Sequence, residues 1–191
     1  MTSEIEKQDF IDKIKSKIHR ELLDIEERTD LSTEQKTSQV IHIFCATCAG
    51  VAIQPIPFAD IFILTPLQAY MGSRIASIQG VPISESKATT IVADLAKAIG
   101  LGLLAQQLAI GAYKTFIPFL GAVTTVPMVY GLTYGMGKVM EAYFESKAKG
   151  QKVDPNQLKD IWKKAKKEGE KEGKAKQSEI EEDSKVSKVS D

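Results

Sequence analysis

Residues 38–137 carry only seven charged side chains, while residues 1–37 carry 17 and residues 138–191 carry 26. The whole chain of 191 residues has 25 basic and 25 acidic side chains, so its formal net charge is zero. Nucleic-acid binding depends on a positive field around the protein, so the neutral balance predicts no nucleic-acid partner. The sequence therefore predicts an apolar module held between two polar ends, within a length that suits a single domain.

An amphipathic helix is predicted at the N-terminus, within a charged region that spans residues 1–37. Apolar side chains recur there at steps of three and four, with charged residues between them, at Ile11, Ile14, Ile18, Leu22 and Ile25. Ser32 and Gln35 have the spacing of a capping box and start a second helix. Pro55 and Pro57 are expected to end that helix, because proline lacks the backbone donor and disfavours helical geometry in the preceding residue.

A third helix is predicted from about residue 58 to residue 79. Pro66 is expected to kink it, and Gly80 is expected to stop it.

The fourth and fifth helices complete the apolar region 38–148. Ser84 or Ser86 caps the fourth helix, which is predicted to continue to residue 110 and to be loosened at Gly100 and Gly102. No alternation typical of strands is sustained along the chain. The predicted fold class is all-α, with four apolar helices that proline and glycine interrupt, arranged as helical hairpins and flanked by terminal amphipathic helices.

A basic amphipathic helix is predicted within residues 149–176. Asp154 is placed as its N-cap and Pro155 as its first residue. Residues 177–191 have little apolar surface to offset the entropy lost on ordering, so they are predicted to be a disordered tail. Trp162 lies among five lysines of the basic helix, and two interpretations stay open: the helix rests on anionic lipid, or it docks on the bundle with its lysines solvated.

The apolar region suggests membrane association, with a soluble bundle as the alternative. Two windows of 23 residues lack charge, 37–59 and 115–137, but prolines interrupt both. Basic residues flank the apolar region on both sides, and no secretory signal is recognisable, so both termini are expected on the cytoplasmic side. Gly131 and Gly135 have the small-xxx-small spacing that lets helices approach closely, either between membrane helices or inside a soluble core.

His42, Cys45 and Cys48 are spaced so that a helix places them roughly on one face. Such a cluster can bind a metal or act in redox chemistry, but zinc requires a fourth ligand or an open catalytic position, and the other histidine lies in a different segment. The favoured interpretation is that the two thiols pack in a helix. We predict no disulfide, no cofactor, no metal site and no enzymatic activity.

The motifs around Gln54-Pro-Ile-Pro-Phe-Ala-Asp60, Leu67 to Gly80, and Phe116-Ile-Pro-Phe-Leu-Gly121 resemble the uncharacterised YcjF-like helical domain family. The resemblance covers about residues 38–148. It implies a helical, membrane-associated domain that is often fused to, or encoded beside, an Era-like GTPase. This chain has no phosphate-binding loop of its own, so a GTPase is expected only as a partner.

Asp60 follows the proline turn and is predicted to lie in the first turn of the next helix, where the helix dipole favours an anion. The alternative pairs Asp60 with Arg74 or Lys97 inside the bundle. A homo-oligomer formed through the apolar helices is the remaining expected partnership.

Overall fold

The computed structural model describes residues 2–53, 63–100 and 121–189. The regular secondary structure of this part is entirely helical, which confirms the all-α prediction. Its helices are α1 (Thr2–Glu27), α2 (Thr33–Ile53), α3 (Thr65–Ile78), α4 (Glu85–Ala98), α5 (Gly121–Ala148), α6 (Pro155–Ala175) and α7 (Gln177–Val189).

The predicted helix starts are confirmed at three positions. The Ser32 Oγ accepts a hydrogen bond from the Gln35 backbone N–H at 3.2 Å, and the Gln35 side chain accepts one from the Ser32 N–H at 2.9 Å. This reciprocal pair is the capping box that begins α2. Ser84, and not Ser86, caps α4 by accepting from the Lys87 N–H at 3.3 Å, and Asp154 caps α6.

Gly80, Gly100 and Gly150 end helices in the left-handed region, where a side chain is strained. Gly80 has φ of 78° and ends α3 as predicted. Gly100 has φ of 75°, and α4 ends at Ala98, so the prediction that the fourth helix continues through Gly100 is wrong, while residues 101–110 lie outside the described residues. The apolar pattern continues in the sequence after Gly100, so the pattern gave no indication that the helix ends there. Pro66 lies in the first turn of α3, where its missing donor has no helical acceptor to lose.

α5 is the central helix of the described part. It runs antiparallel to α6, to which the turn after Gly150 connects it, and it also packs on α2. α3 and α4 also contact α5, and α1 packs on α2 and α3. The predicted apolar stripe of α1 faces this core, with Ile11, Ile18, Leu22 and Ile25 buried.

A helix occupies residues 177–189, so the predicted disordered tail is wrong there. Ile180 on α7 is 6% exposed, belongs to the main core and lies near Gly50 of α2. The buried Ile180 and contacts with α2, α5 and α6 hold this helix, in which polar residues predominate, against the body. Compositional rules undervalue such a segment because they count its own apolar area and omit the surface it covers.

Candidate functional site

The interface between α5 and α6 is the most closely packed contact between helices in the described part. Gly131 of α5 faces Gly169 of α6, and Gly173 of α6 lies against Pro127 and Tyr130 of α5. A Cβ atom added at Gly169 would lie 2.6 Å from the Cβ of Tyr134 and 3.0 Å from the Cα of Gly131. The two backbones therefore approach each other with no room for side chains between them, the geometry that small residues at this spacing permit.

The packing of the α6 glycines on α5 was not predicted from the sequence. Gly169-Glu-Lys-Glu-Gly173 repeats the four-residue spacing of Gly131 and Gly135, but it lies in a stretch rich in charge. Glycine in such a stretch indicates a weak helix when only local propensity is considered. The signal that identifies the pair is the second occurrence of the same spacing on the neighbouring helix.

Trp162 fixes the other end of this interface. Its ring lies against Gly135, where an added Cβ would be 3.1 Å from two indole atoms, and the side chain is 9% exposed. The Lys166 ammonium lies 5.6 Å from the centre of the same ring. Trp162 therefore docks α6 on the body.

A polar cluster joins α2, α5 and α6 beside the glycines. The Nδ1 atom of His42 lies 2.7 Å from the Tyr130 hydroxyl and 3.3 Å from a Glu172 carboxylate oxygen. The Tyr134 ring lies 5.3 Å from the imidazole, centre to centre. The neutral imidazole can accept from Tyr130, whereas the protonated imidazole can donate to Glu172.

The surroundings disfavour charge on His42. Burial lowers the pKa of its imidazole; the nearby Glu172 carboxylate opposes this shift, and the ammonium groups of Lys176 and Lys138 add to it. Burial also raises the pKa of Tyr130 and brings that of Tyr134 to about 12. The cluster therefore holds neutral aromatic donors and acceptors around a histidine that resists protonation.

Cys45 and Cys48 are free thiols buried in the core. Burial raises the pKa of the Cys45 thiol and raises that of Cys48 to about 12. Since the thiolate is the reactive form and the metal ligand, neither thiol is prepared for either role. Among the described residues no group of three His, Cys, Asp or Glu side chains is placed to hold a metal ion.

Polar contacts attach α1 to the α3–α4 pair. Arg74 donates to the Glu26 carboxylate through two nitrogens, one of them at 2.6 Å from its acceptor. Lys15 pairs with Glu85, and the His19 Nδ1 lies 3.0 Å from the hydroxyl of Tyr70.

Arg74 and Lys97, the two cations suggested as partners of Asp60, are each paired with another carboxylate. Arg74 is engaged by Glu26, and Lys97 pairs with Asp94 at the surface. Asp60 itself, with Pro55 and Pro57, lies outside the described residues, so their predicted roles in the turn stay predictions.

An open pocket of about 530 Å³ lies at the turn between α5 and α6. It is lined by Tyr143, Lys147, Gly150, Gln151, Lys152 and Val153. This lining contains no carboxylate, thiol or imidazole, so the pocket lacks a base for proton transfer near neutral pH.

One helix of the described part, α2, is long and apolar enough to cross a membrane. Half of its most apolar 18-residue stretch is buried inside the protein. Core helices of soluble proteins share this length and composition, so the observation is weak evidence for a span.

Comparison with protein-family models, curated proteins and solved structures found no match. The resemblance to the YcjF-like family therefore rests on the sequence motifs alone and stays a prediction.

Proposed function

We propose that the protein is a non-enzymatic, membrane-associated helical module. In this proposal the four helices α2 to α5 form a bundle, α1 and the C-terminal helices flank it, and both termini lie on the cytoplasmic side. The observation that carries the proposal is the charge distribution, with seven charged side chains in residues 38–137.

The described helices account for only part of that apolar region. They bury their large apolar side chains against one another, and Ile5 is the one large apolar residue that is exposed in the described part. The apolar residues that remain lie in 54–62 and 101–120, which carry a single acidic and a single basic side chain, Asp60 and Lys114. We assign the membrane contact to these two stretches, because they carry little charge and the other apolar stretches of the region lie in the packed helices.

The described chain enters and leaves the first of these stretches, 54–62, at one apolar cluster. Val51 and Ala52 at the end of α2 pack with Ile63 and Leu64 before α3, and Val129 from the first half of α5 joins them. This arrangement supports a mode of attachment in which α2 stays packed in the body.

The absence of enzymatic activity is supported by the state of the reactive side chains. The thiols are buried with raised pKa values, and the His42 imidazole is occupied by Tyr130 and Glu172. An Era-like GTPase as cytoplasmic partner is proposed on the sequence resemblance only.

Flotation of the purified protein with vesicles of uncharged phosphatidylcholine tests the membrane proposal. We expect the protein to float, and we expect the variant L103E/L104E/L108E to remain at the bottom of the gradient because charges are costly in hydrocarbon. The control A93E/A148E/A175E adds the same charge at exposed helical alanines and should float. Circular dichroism must show both variants to be helical. A wild-type protein that never floats would refute the proposal.

A soluble interaction bundle is the second candidate, with apolar helices that mediate self-association. It is favoured by the burial of α2 against α3, α5 and α7, as in a soluble core. A single oligomeric species in detergent-free buffer, combined with no flotation, would select this candidate.

A further inference from the structure

The outward face of α6 is a row of lysines. At 100° per residue, the buried side chains Leu158, Trp162, Ala165, Gly169 and Gly173 lie on one side of the helix, facing α5. The opposite side is formed by exposed residues, five lysines and one aspartate: Lys163, Lys164, Lys167, Lys171, Lys174 and Asp160. The five lysines of this row are called the lysine face below, and from Lys163 to Lys174 they extend for about 17 Å at 1.5 Å per residue.

The acidic residues of α6 largely lie to the sides of this face. Glu170 pairs with Lys166 at 3.2 Å, and Glu172 pairs with His42. The five lysines of the lysine face make no ion pair within the described part of the chain. Lysines four residues apart on an exposed helix repel one another, and with five lysines against the single Asp160 the row keeps a net positive charge.

We propose that the lysine face binds the anionic headgroups of a lipid bilayer. α6 has no arginine, the residue suited to bidentate recognition of single phosphates or carboxylates. A row of flexible ammonium groups instead suits a diffuse negative surface. Each ammonium group near an anionic bilayer raises the partitioning of the protein onto that bilayer about five-fold, the equivalent of about 1 kcal/mol. The inference rests on the proposed membrane association and names the lipid class that strengthens it.

Trp162 is buried while its lysine neighbours are exposed, because α6 packs its apolar side on α5. The apolar side of α6 is buried against α5, so it is not available to insert into a bilayer as the apolar side of an interfacial helix does. Its contact with lipid is therefore purely electrostatic and does not require α6 to leave the body.

Vesicle co-sedimentation of K167Q/K171Q tests the inference, with K13Q/K87Q as a control that removes the same charge from exposed lysines of α1 and α4. Vesicles contain either phosphatidylcholine alone or roughly 30 mol % phosphatidylserine. We expect K167Q/K171Q to bind the anionic vesicles about 25-fold more weakly than wild type and the uncharged vesicles equally well. About 1 M salt, which shortens the Debye length to about 3 Å, should abolish the difference.

The outcomes separate this inference from the proposed function. Equal losses in both variants, or no loss in K167Q/K171Q, would overturn the role of the lysine face. Wild-type protein that binds both vesicle types equally would overturn it too, while membrane association would stand. Wild-type protein that binds neither vesicle would overturn both. A loss of binding to duplex DNA with unchanged binding to anionic vesicles would assign the face to a different partner and refute the inference.

Discussion

Substituting Gly131 by alanine should destabilise the protein, although alanine is the better helix former. The added Cβ would lie 2.5 Å from the Cγ of Glu170, 2.8 Å from the carbonyl oxygen of Lys166 and 3.0 Å from the backbone nitrogen of Glu170. The Glu170 side chain can rotate away. The backbone of α6 cannot, so α6 must move away from α5 or the contact must stay strained.

The size of the effect follows from two opposing contributions. Replacing glycine by alanine inside a helix stabilises by about 1 kcal/mol. Forcing a methyl group into a fully packed contact costs typically about 1–3 kcal/mol, and a rigid backbone neighbour places this site near the upper value. The expected net loss is therefore about 1–2 kcal/mol, or about 2–8 °C in Tm for a chain of this length.

Gly50 provides the matched control. It also lies within a helix, α2, but an added Cβ would meet only the Cγ2 of Ile180 at 3.9 Å, an ordinary contact. Gly50→Ala should therefore stabilise by about 0.5–1 kcal/mol. The contrast in sign between two identical substitutions isolates the close approach of α5 and α6.

Urea and thermal unfolding, followed by circular dichroism and by tryptophan emission, measure both variants. The chain has a single tryptophan, Trp162, which is buried against Gly135 at this interface, so its emission reports directly on the docking of α6. Gly131→Ala should shift the native emission to longer wavelength. A Gly131→Ala variant as stable as Gly50→Ala, with unchanged emission, would refute the packing of α5 on α6.

Three further perturbations test the polar contacts and the thiols. Because the pKa of His42 is lowered in the folded state, unfolding favours its protonation, so stability should be retained above pH 6.5 and fall on acidification, and His42→Gln should weaken that fall. Cys45 and Cys48 should react with a thiol reagent only after unfolding, since burial shields them and raises their pKa values. Arg74→Gln should destabilise by about 1.5 kcal/mol in urea unfolding, because it leaves the Glu26 carboxylate without its charged donor.

Each of these expectations has its own control. An acid sensitivity that is unchanged in His42→Gln would contradict the assignment to His42. Rapid modification of native protein would contradict the burial of the thiols. A double-mutant cycle that adds Glu26→Gln to Arg74→Gln should show coupling, and additive losses would contradict the pairing.

The features that could be predicted from the sequence depend on residues close together in the chain. The Ser32 capping box, the Asp154 cap and the stop at Gly80 each involve atoms within about one helical turn, so local rules suffice. The stripe of α1 was predictable because its spacing alone defines a buried face.

The remaining features depend on partners that are distant in sequence. His42 and Tyr130 are separated by 88 residues, and Arg74 and Glu26 by 48. Gly169 has a low helix propensity, but its missing side chain allows α6 to pack closely on α5. This packing cannot be predicted until the position of Gly131 on the facing helix is known. Helix α7 was missed for the same reason, because the surface that covers Ile180 belongs to other helices.

Hydrogen exchange of the full-length protein, with and without phosphatidylcholine vesicles, tests most directly whether a packed helical body associates with a membrane through its remaining apolar stretches. We expect vesicles to protect the amides of residues 54–62 and 101–120 from hydrogen exchange, while the amides of α2 keep the protection from exchange that they have in the free protein. Loss of protection in α5 and α6 on binding, or an unchanged exchange pattern along the whole chain, would contradict it.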